Sequence, residues 1–234
     1  MKTRIYTFNL FVVLFVSALL YGCTHTNDLA SYNLSASKIL FKKYVSYDLS
    51  KVYVDINAGY GNDTKSIIGV ILGGLASGYT EEQVKEKFRN AINGDSISTN
   101  ITDGIKEGLL TYYRITPVTS LEEDPKFIMD TQLLKFYVES NSYGIYVKAH
   151  TKAILTDRNT ARTVWENDET SSIPLYDVYI PSFGSQTIQT SKSVLNAIRL
   201  MNMSEEELRF AINAAAEEVG RMQSETLRKD IADR

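Results

Sequence analysis

The hydrophobic pattern of the chain changes its period near residue 113, and this change predicts the layout of the fold. Before that point, apolar side chains recur every four residues, as on one face of an amphipathic helix. The repeating positions are Ile97, Ile101, Ile105 and Leu109. A shorter helix over 81–93 precedes them, because Thr80-Glu81-Glu82-Gln83 is a capping box and Gly94 suits the end of a helix.

After residue 113 the period is two, which predicts strands. Two long alternating segments, Phe127 to Glu139 and Tyr143 to Thr156, are joined at the short turn Ser140-Asn141-Ser142. A further strand, Ala161 to about Glu169, follows the polar turn Asp157-Arg158-Asn159-Thr160. Three consecutive strands joined by short turns predict an antiparallel meander.

The remaining elements complete the prediction of an α+β fold. Val52 to Ile56 alternates and predicts another strand, as does 113–118, while 39–47 fits a short helix or a first strand. A capping box at Ser204-Glu205-Glu206-Glu207 predicts a long helix to about Ile231. We therefore expect one α+β domain over 38–234, in which amphipathic helices pack on one face of an antiparallel sheet.

The first 22 residues have the three zones of an export signal. Lys2 and Arg4 are basic, an apolar run follows from Ile5 to Leu20, and the small residue Gly22 stands before Cys23. The apolar run has about 16 residues, fewer than the roughly 20 that a membrane-spanning helix needs. An uncleaved N-terminal anchor is the alternative interpretation.

The sequence Leu20-Tyr21-Gly22-Cys23 resembles the lipobox of bacterial lipoproteins, and Tyr21 departs from the smaller residue that is usual there. The resemblance implies cleavage after Gly22 and lipid modification of Cys23, with enough acyl chains for stable membrane anchoring. No Asp follows the anchor in Thr24-His25-Thr26, a context that resembles outer-membrane delivery. We expect an outer-membrane lipoprotein that faces the periplasm, with a flexible Ser/Thr/Asn-rich tether over 23–37.

Charge and cysteine content narrow the function. Removal of residues 1–22 takes away Lys2 and Arg4 and no acidic residue, so the formal charge moves from −3 to −5. Nucleic-acid binding requires clustered Lys and Arg, so an acidic chain argues against it. Because Cys23 is the only cysteine, an internal disulfide is excluded.

The segment 66–78 is rich in glycine. Gly69 and Gly73 are four residues apart, as are Gly74 and Gly78. On a helix this spacing allows close packing or oligomerisation, as in the glycine zippers of some outer-membrane lipoproteins. A Gly-rich buried loop is the alternative. A phosphate-binding loop is excluded because no Lys-Ser or Lys-Thr follows the glycines.

Few residues offer catalytic or metal chemistry. The two histidines are His25 and His150, and we interpret His150 as a sheet or surface residue because no second His or Cys can share a metal with it. No hydrolase elbow or zinc-protease motif occurs, and we expect no cofactor. Trp165, the single tryptophan, is expected to pack in the core or sheet.

Two acidic groups are candidates for a pair of catalytic carboxylates, as in glycosidases. One group lies in a loop before a proline, and the other lies near the end of a strand. The first comprises Glu122, Glu123 and Asp124, and the second comprises Glu166, Asp168 and Glu169. The simpler interpretation, which we favour, is solvated surface charge.

A predicted loop over 171–189 contains Pro174, Pro181 and several aromatic residues. Tyr176, Tyr179 and Phe183 are candidates for a partner surface, because aromatic residues are enriched at the centres of protein interfaces. Alternatively, they fold back to cover the sheet.

The segment from about Ile101 to Ser171 resembles a pattern of envelope lipoproteins: a helix, a strand, a hairpin of long strands, and a strand with an apolar-Trp pair. The residues that close the pattern are Leu155-Thr156-Asp157-Arg158-Asn159-Thr160-Ala161-Arg162-Thr163-Val164-Trp165. This is similar to auxiliary lipoproteins of envelope ABC transporters and to lipoproteins of curli assembly and penicillin-binding-protein activation. Ala161 departs from the Gly common at the turn.

The resemblance implies a periplasmic domain that binds other proteins and is not an enzyme. We therefore expect a lipid-anchored, non-catalytic envelope protein that binds or assembles a transporter, secretion or cell-wall complex. Two alternatives stay open. One is an oligomerising or membrane-inserting lipoprotein that uses segment 66–78, and the other is a carboxylate-based hydrolase of envelope glycans.

Overall fold

The structure is a computed structural model that describes residues 26–46, 53–56, 80–141, 144–175 and 201–232. Seven strands in these ranges form one sheet. They are β1 (Thr26–Asn27), β2 (Lys38–Val45), β3 (Tyr53–Ile56), β4 (Thr116–Val118), β5 (Phe127–Asn141), β6 (Gly144–Asp157) and β7 (Arg162–Pro174). The same ranges contain three α-helices: α1 (Glu81–Ala91), α2 (Gly94–Tyr113) and α3 (Glu205–Ala232). The predicted α+β class is confirmed.

The sheet is mixed, which corrects the prediction of an antiparallel sheet. The strand order is β1-β7-β6-β5-β2-β4, and β3 also pairs with β5. The meander β5-β6-β7 is antiparallel as predicted, and so is the β1–β7 pair. However, β2 and β3 pair with β5 in parallel, and β2 pairs with β4 in parallel. Because α1 and α2 lie between these strands in the chain, the connection is long enough for a parallel crossover.

The capping boxes form as the sequence predicts. The Thr80 hydroxyl accepts a hydrogen bond from the backbone N–H of Gln83, whose side chain accepts one from the backbone N–H of Thr80. Ser204 and Glu207 make the equivalent pair before α3. The prediction that Gly94 ends α1 is wrong. Gly94 is the first residue of α2, because the Asn93 side chain caps that helix by accepting a hydrogen bond from the Ser96 N–H.

Close contact between α2 and α3 depends on small residues. A Cβ atom added at Gly104 would lie 2.2 Å from the backbone oxygen of Glu217, and one at Gly220 would lie 2.0 Å from that of Ile101. A Cβ at Gly108 would lie 2.0 Å from the Ser224 hydroxyl. The glycines therefore let the two backbones approach each other more closely than any side chain would allow.

Both α2 and α3 cover the same face of the sheet, here called the inner face. The alternating residues of β6 that point to this face are all buried: Ile145, Val147, Ala149, Thr151, Ala153, Leu155 and Asp157. Trp165 on β7 is 1 % exposed, and its indole N–H donates to the Asp230 carboxylate at 2.7 Å. Burial of a large apolar side chain such as Val147 or Leu155 stabilises the fold by about 1.5–3 kcal/mol. The prediction that the helices pack on one face is thus confirmed for α2 and α3.

The predicted tether is wrong for residues 26–37, because they belong to the folded body. Thr26 and Asn27 pair with β7, and a 3-10 turn follows at Leu29–Ser31. Leu29 is 0 % exposed and Leu34 is 2 % exposed. These two buried leucines anchor the segment to the core, although its Ser, Thr and Asn content predicts a flexible linker.

Two other boundaries differ from their predictions. Tyr113 is the last residue of α2, and Arg114 caps the helix in the left-handed conformation. The strand predicted over 113–118 therefore shortens to Thr116–Val118. Strand β7 continues to Pro174, so the first residues of the loop predicted over 171–189 are strand. Residues 176–189 lie outside the described residues.

Candidate functional site

The opposite face of the sheet, here called the outer face, is the best candidate for a binding surface. It is produced by the same alternation that builds the core: every second residue of β6 points away from α2 and α3. These residues are Tyr146, Lys148, His150, Lys152, Ile154 and Thr156, and all are half-buried. The register of β6 with its neighbours then determines which side chains of β5 and β7 accompany them.

Three ion pairs cross between strands on the outer face. Lys148 Nζ lies 2.5 Å from the Glu139 carboxylate of β5. His150 Nε2 lies 2.5 Å from Asp168 of β7, and Lys152 Nζ lies 2.6 Å from Glu166 of the same strand. The six side chains are only 17 % to 36 % exposed, because each lies along the sheet against its neighbours. The outer face is therefore an organised layer of alternating charge.

Two groups on the outer face, Lys148 and Asp130, have shifted pKa values, and the causes of the two shifts differ. The hydrogen bond from Lys148 to Glu139 raises the pKa of Lys148 and keeps that side chain charged. Burial raises the pKa of Asp130, while Lys42 and the Tyr44 hydroxyl act in the opposite direction. Among the described residues, no hydrogen-bond donor meets Asp130 Oδ1.

Aromatic and aliphatic side chains lie between the charges. Lys148 Nζ stands 6.0 Å from the centre of the Tyr137 ring, and Tyr146 pairs with Glu139 across the strands. Ile154 pairs with Asp130 on the same face. Aromatic residues are enriched at protein interfaces, and Tyr137 and Tyr146 place two of them on this face.

The structure separates the predicted carboxylate groups. Glu166 and Asp168 lie on the outer face in the ion pairs described above. Glu169 points to the inner face, where it accepts from Asn167 at 3.0 Å and from the Thr226 hydroxyl of α3 at 3.3 Å. The sequence predicted these three acids as one cluster, but strand alternation places Glu169 on the other side of the sheet.

The other acidic group is part of a loop. Glu123 accepts hydrogen bonds from the Thr119 N–H and hydroxyl and from the Ser120 N–H, and these bonds lower the pKa of Glu123. Asp124 pairs with Arg158 of the turn between β6 and β7. Glu122 lies beside them in the same 3-10 turn. Glu123 and Asp124 thus fix a loop and hold it against a neighbouring turn.

His150 lies in the sheet, as predicted, and its Nε2 contacts the Asp168 carboxylate. In the described ranges, no group of three or more His, Cys, Asp or Glu residues is placed to hold a metal ion. Within the same ranges, no helix is long and apolar enough to cross a membrane.

Several predicted sites fall outside the described residues. These are Gly22 and Cys23, the glycines Gly69, Gly73, Gly74 and Gly78, and the aromatic residues Tyr176, Tyr179 and Phe183. They stay predictions.

The outer-face lysines and Glu139 were not predicted from the sequence. Lys148 and Lys152 alternate with buried residues along β6, and Glu166 and Asp168 stand two residues apart on β7, so they share one face of that strand. Two adjacent antiparallel strands with opposite charges on alternating positions are a signal for cross-strand pairs. Which lysine lies beside which acid depends on the pairing register of the strands, and the sequence alone does not determine that register.

Comparisons with known proteins do not identify a family. No family model matches the chain, and no curated protein matches it. Among solved structures, a DUF330-family protein from Xanthomonas campestris is 9% identical with a TM-score of 0.37, covering 88% of this chain and 93% of that chain. A PelC dodecamer from Paraburkholderia phytofirmans is 7% identical with a TM-score of 0.33, covering 81% and 88%. A hypothetical protein from Chlamydia trachomatis is 10% identical with a TM-score of 0.31, covering 78% and 99%. Likenesses this distant carry no conclusion about this chain.

Proposed function

We propose that this chain is a lipid-anchored, non-catalytic protein of the bacterial envelope that binds or assembles a protein partner. The observation that carries the proposal is the single cysteine, Cys23, placed directly after a basic start, an apolar run and Gly22. The first described strand, β1, begins three residues later, at Thr26. This order suits an exported domain whose first mature residue holds the lipid.

The outer face supports the binding part of the proposal. Its charges are arranged in pairs between strands, and Tyr137, Tyr146 and Ile154 supply the apolar contacts. The occupant we propose is an envelope protein that presents its own mixture of polar and aromatic groups to this face. Polar interfaces of this kind form without a large apolar patch.

The arrangement of the acids favours binding over glycan hydrolysis. A glycosidase needs two carboxyl groups about 5–10 Å apart on either side of a substrate. Here Glu166 is bonded to Lys152, Asp168 is bonded to His150, and Glu169 faces α3. Each of these carboxylates stabilises the domain through a neighbouring side chain.

Fatty-acid labelling in cells tests the anchor. The unmodified chain should incorporate a clickable palmitate, and Cys23→Ser should abolish the label. A matched control, Cys23→Ser combined with Thr24→Cys, keeps a thiol but moves it by one residue, so it should also stay unlabelled. A label that persists in Cys23→Ser, or that the native chain lacks, contradicts the proposal.

Site-specific photocrosslinking in whole cells tests the partner. A photoreactive residue in place of Tyr146 on the outer face should give one discrete adduct with an envelope protein. Replacement of Tyr112, which is 41 % exposed on α2, is the matched control and should not give that adduct. Positions Tyr176, Tyr179 and Phe183 test the predicted loop surface in the same experiment. If none of the sheet or loop positions yields a specific adduct, a partner-binding role is wrong.

A further inference from the structure

We infer that the β1 edge of the sheet, together with the last turn of α3, lies against the headgroups of the membrane that holds the lipid. This inference rests on the proposed lipid modification of Cys23. It adds the orientation of the domain, which the modification alone does not determine.

The chain that connects Cys23 to β1 is short. Cys23 is three residues before Thr26, and a fully extended chain spans at most about 3.6 Å per residue, which gives about 11 Å. Acyl chains on Cys23 insert into the hydrocarbon layer, so this residue lies at the headgroup level. The polar region on each side of a bilayer is itself about 5–8 Å thick. The start of β1 therefore cannot move far from the lipid surface.

The chain after Thr26 is held in place and cannot lengthen this connection. Asp28 N–H donates to the Val164 oxygen at 2.8 Å, and the Asn27 side chain donates to the Asp230 backbone oxygen at 3.1 Å. Leu29 is 0 % exposed. Extending the connection beyond Thr26 would break these contacts and expose the leucine.

Strand β1 lies at the edge of the sheet. It stands at one end of the strand order and β4 stands at the other, five strand spacings away. At about 4.8 Å per spacing, the β4 edge lies about 24 Å further along the sheet. The membrane therefore faces β1 and the Asp230 end of α3, while β4 points into the periplasm. In this orientation the outer face stands to the side of the sheet and not against the membrane.

The chain contains its own reporter for this orientation. Trp165 is the single tryptophan, and it pairs with Asn27 of β1 across the strands. The experiment is energy transfer from Trp165 to a dansyl-labelled headgroup lipid, with the purified lipidated protein in phosphatidylcholine vesicles. We expect strong transfer from the native protein.

Two variants make the result decisive. A flexible insertion of about ten Gly and Ser residues after Thr24 keeps the lipid and the fold but frees the domain, so transfer should fall. Trp165→Phe combined with Thr116→Trp moves the donor to the exposed β4 edge, and transfer should fall there as well. The insertion does not touch the core, so it keeps the test valid if the second variant fails to fold.

If the native protein and the insertion variant both bind vesicles and show equal energy transfer, the proposed orientation is wrong. That result would not contradict the proposed lipid anchor. Weak transfer from a vesicle-bound native protein would likewise contradict the orientation and not the anchor. If mass spectrometry of the native protein finds no lipid on Cys23, the orientation and the proposed function both fall.

Discussion

The two faces of the sheet are built from the same alternating strands, but they are stabilised in different ways. On the inner face, α2 and α3 bury an apolar layer and approach each other so closely that a single added carbon atom has no room. On the outer face, half-buried lysines, acids and a histidine pair with each other across the strands. The inner face should therefore tolerate almost no change in volume, whereas the outer face should tolerate changes in charge and remain available for binding.

The largest effect is expected at the helix contact. Gly220→Ala would place a Cβ 2.0 Å from the Ile101 oxygen and 3.0 Å from the Gly104 Cα, so α2 and α3 must separate. We expect a loss of about 3 kcal/mol or more in the free energy of unfolding, measured by urea denaturation. Gly94→Ala is the matched control, because its Cβ would meet only the Val45 side chain at 3.4 Å. Equal effects of the two substitutions would show that close helix contact is not the cause.

A smaller effect is expected at the turn that joins β6 to β7. Asp157 Oδ1 accepts from the Thr160 N–H at 3.0 Å and from the Asn159 N–H at 2.9 Å, and these bonds lower the pKa of Asp157 despite burial. Asp157→Asn should cost about 1–3 kcal/mol near neutral pH, because a neutral amide oxygen accepts these two hydrogen bonds more weakly than a charged carboxylate does.

The pH dependence of this loss follows from the sign of the pKa shift. A carboxyl group with a lowered pKa in the folded state stabilises the fold fully above its unfolded pKa. That stabilisation is lost as the pH falls through the folded pKa. The difference in unfolding free energy between the native protein and the Asp157→Asn variant should therefore be constant above about pH 5 and shrink below about pH 4. A difference that grows in acid contradicts this role.

The same turn offers a stabilising substitution. Ala161 has a φ of 54°, in the left-handed region where a Cβ atom is unfavourable. We expect Ala161→Gly to raise the free energy of unfolding by up to about 1 kcal/mol. Ala153→Gly, at a buried position of β6 with no positive φ, is the control and should destabilise. A decrease in thermal stability for Ala161→Gly would contradict the assigned strain.

The smallest effect is expected on the outer face. Lys152→Ala removes the pair with Glu166, and a partly exposed pair of this kind contributes about 1 kcal/mol or less. The double variant Lys152→Glu with Glu166→Lys restores an opposite-charge pair and should recover most of any loss in a urea titration. A loss as large as that of Gly220→Ala would remove the distinction between the two faces.

Local signals in the sequence predicted the elements but not their arrangement. The Thr80 capping box and the four-residue repeat of Ile97 to Leu109 placed α1 and α2, because both depend on neighbours within one or two turns. The parallel pairing of β2 with β5 was not predicted, because alternation determines which face a residue occupies but not which strand lies beside it.

Two errors have a common physical cause, which is that composition does not reveal tertiary contacts. The segment 26–37 is polar on average, but Leu29 and Leu34 bury it against the body. The four-residue apolar repeat of α2 likewise did not predict that Gly104 and Gly108 form the surface on which α3 packs. For the candidate site, the sequence identified His150 and the acids of β7 separately, and only the register joined them.

The central claim, that Cys23 is the lipid-bearing first residue of the mature protein, is tested most directly by mass spectrometry of the protein extracted from cell membranes. We predict an N-terminal peptide that begins at Cys23 and carries the mass of a diacylglycerol group together with an acyl chain. An intact peptide that retains Gly22 before an unmodified Cys23 would contradict the claim.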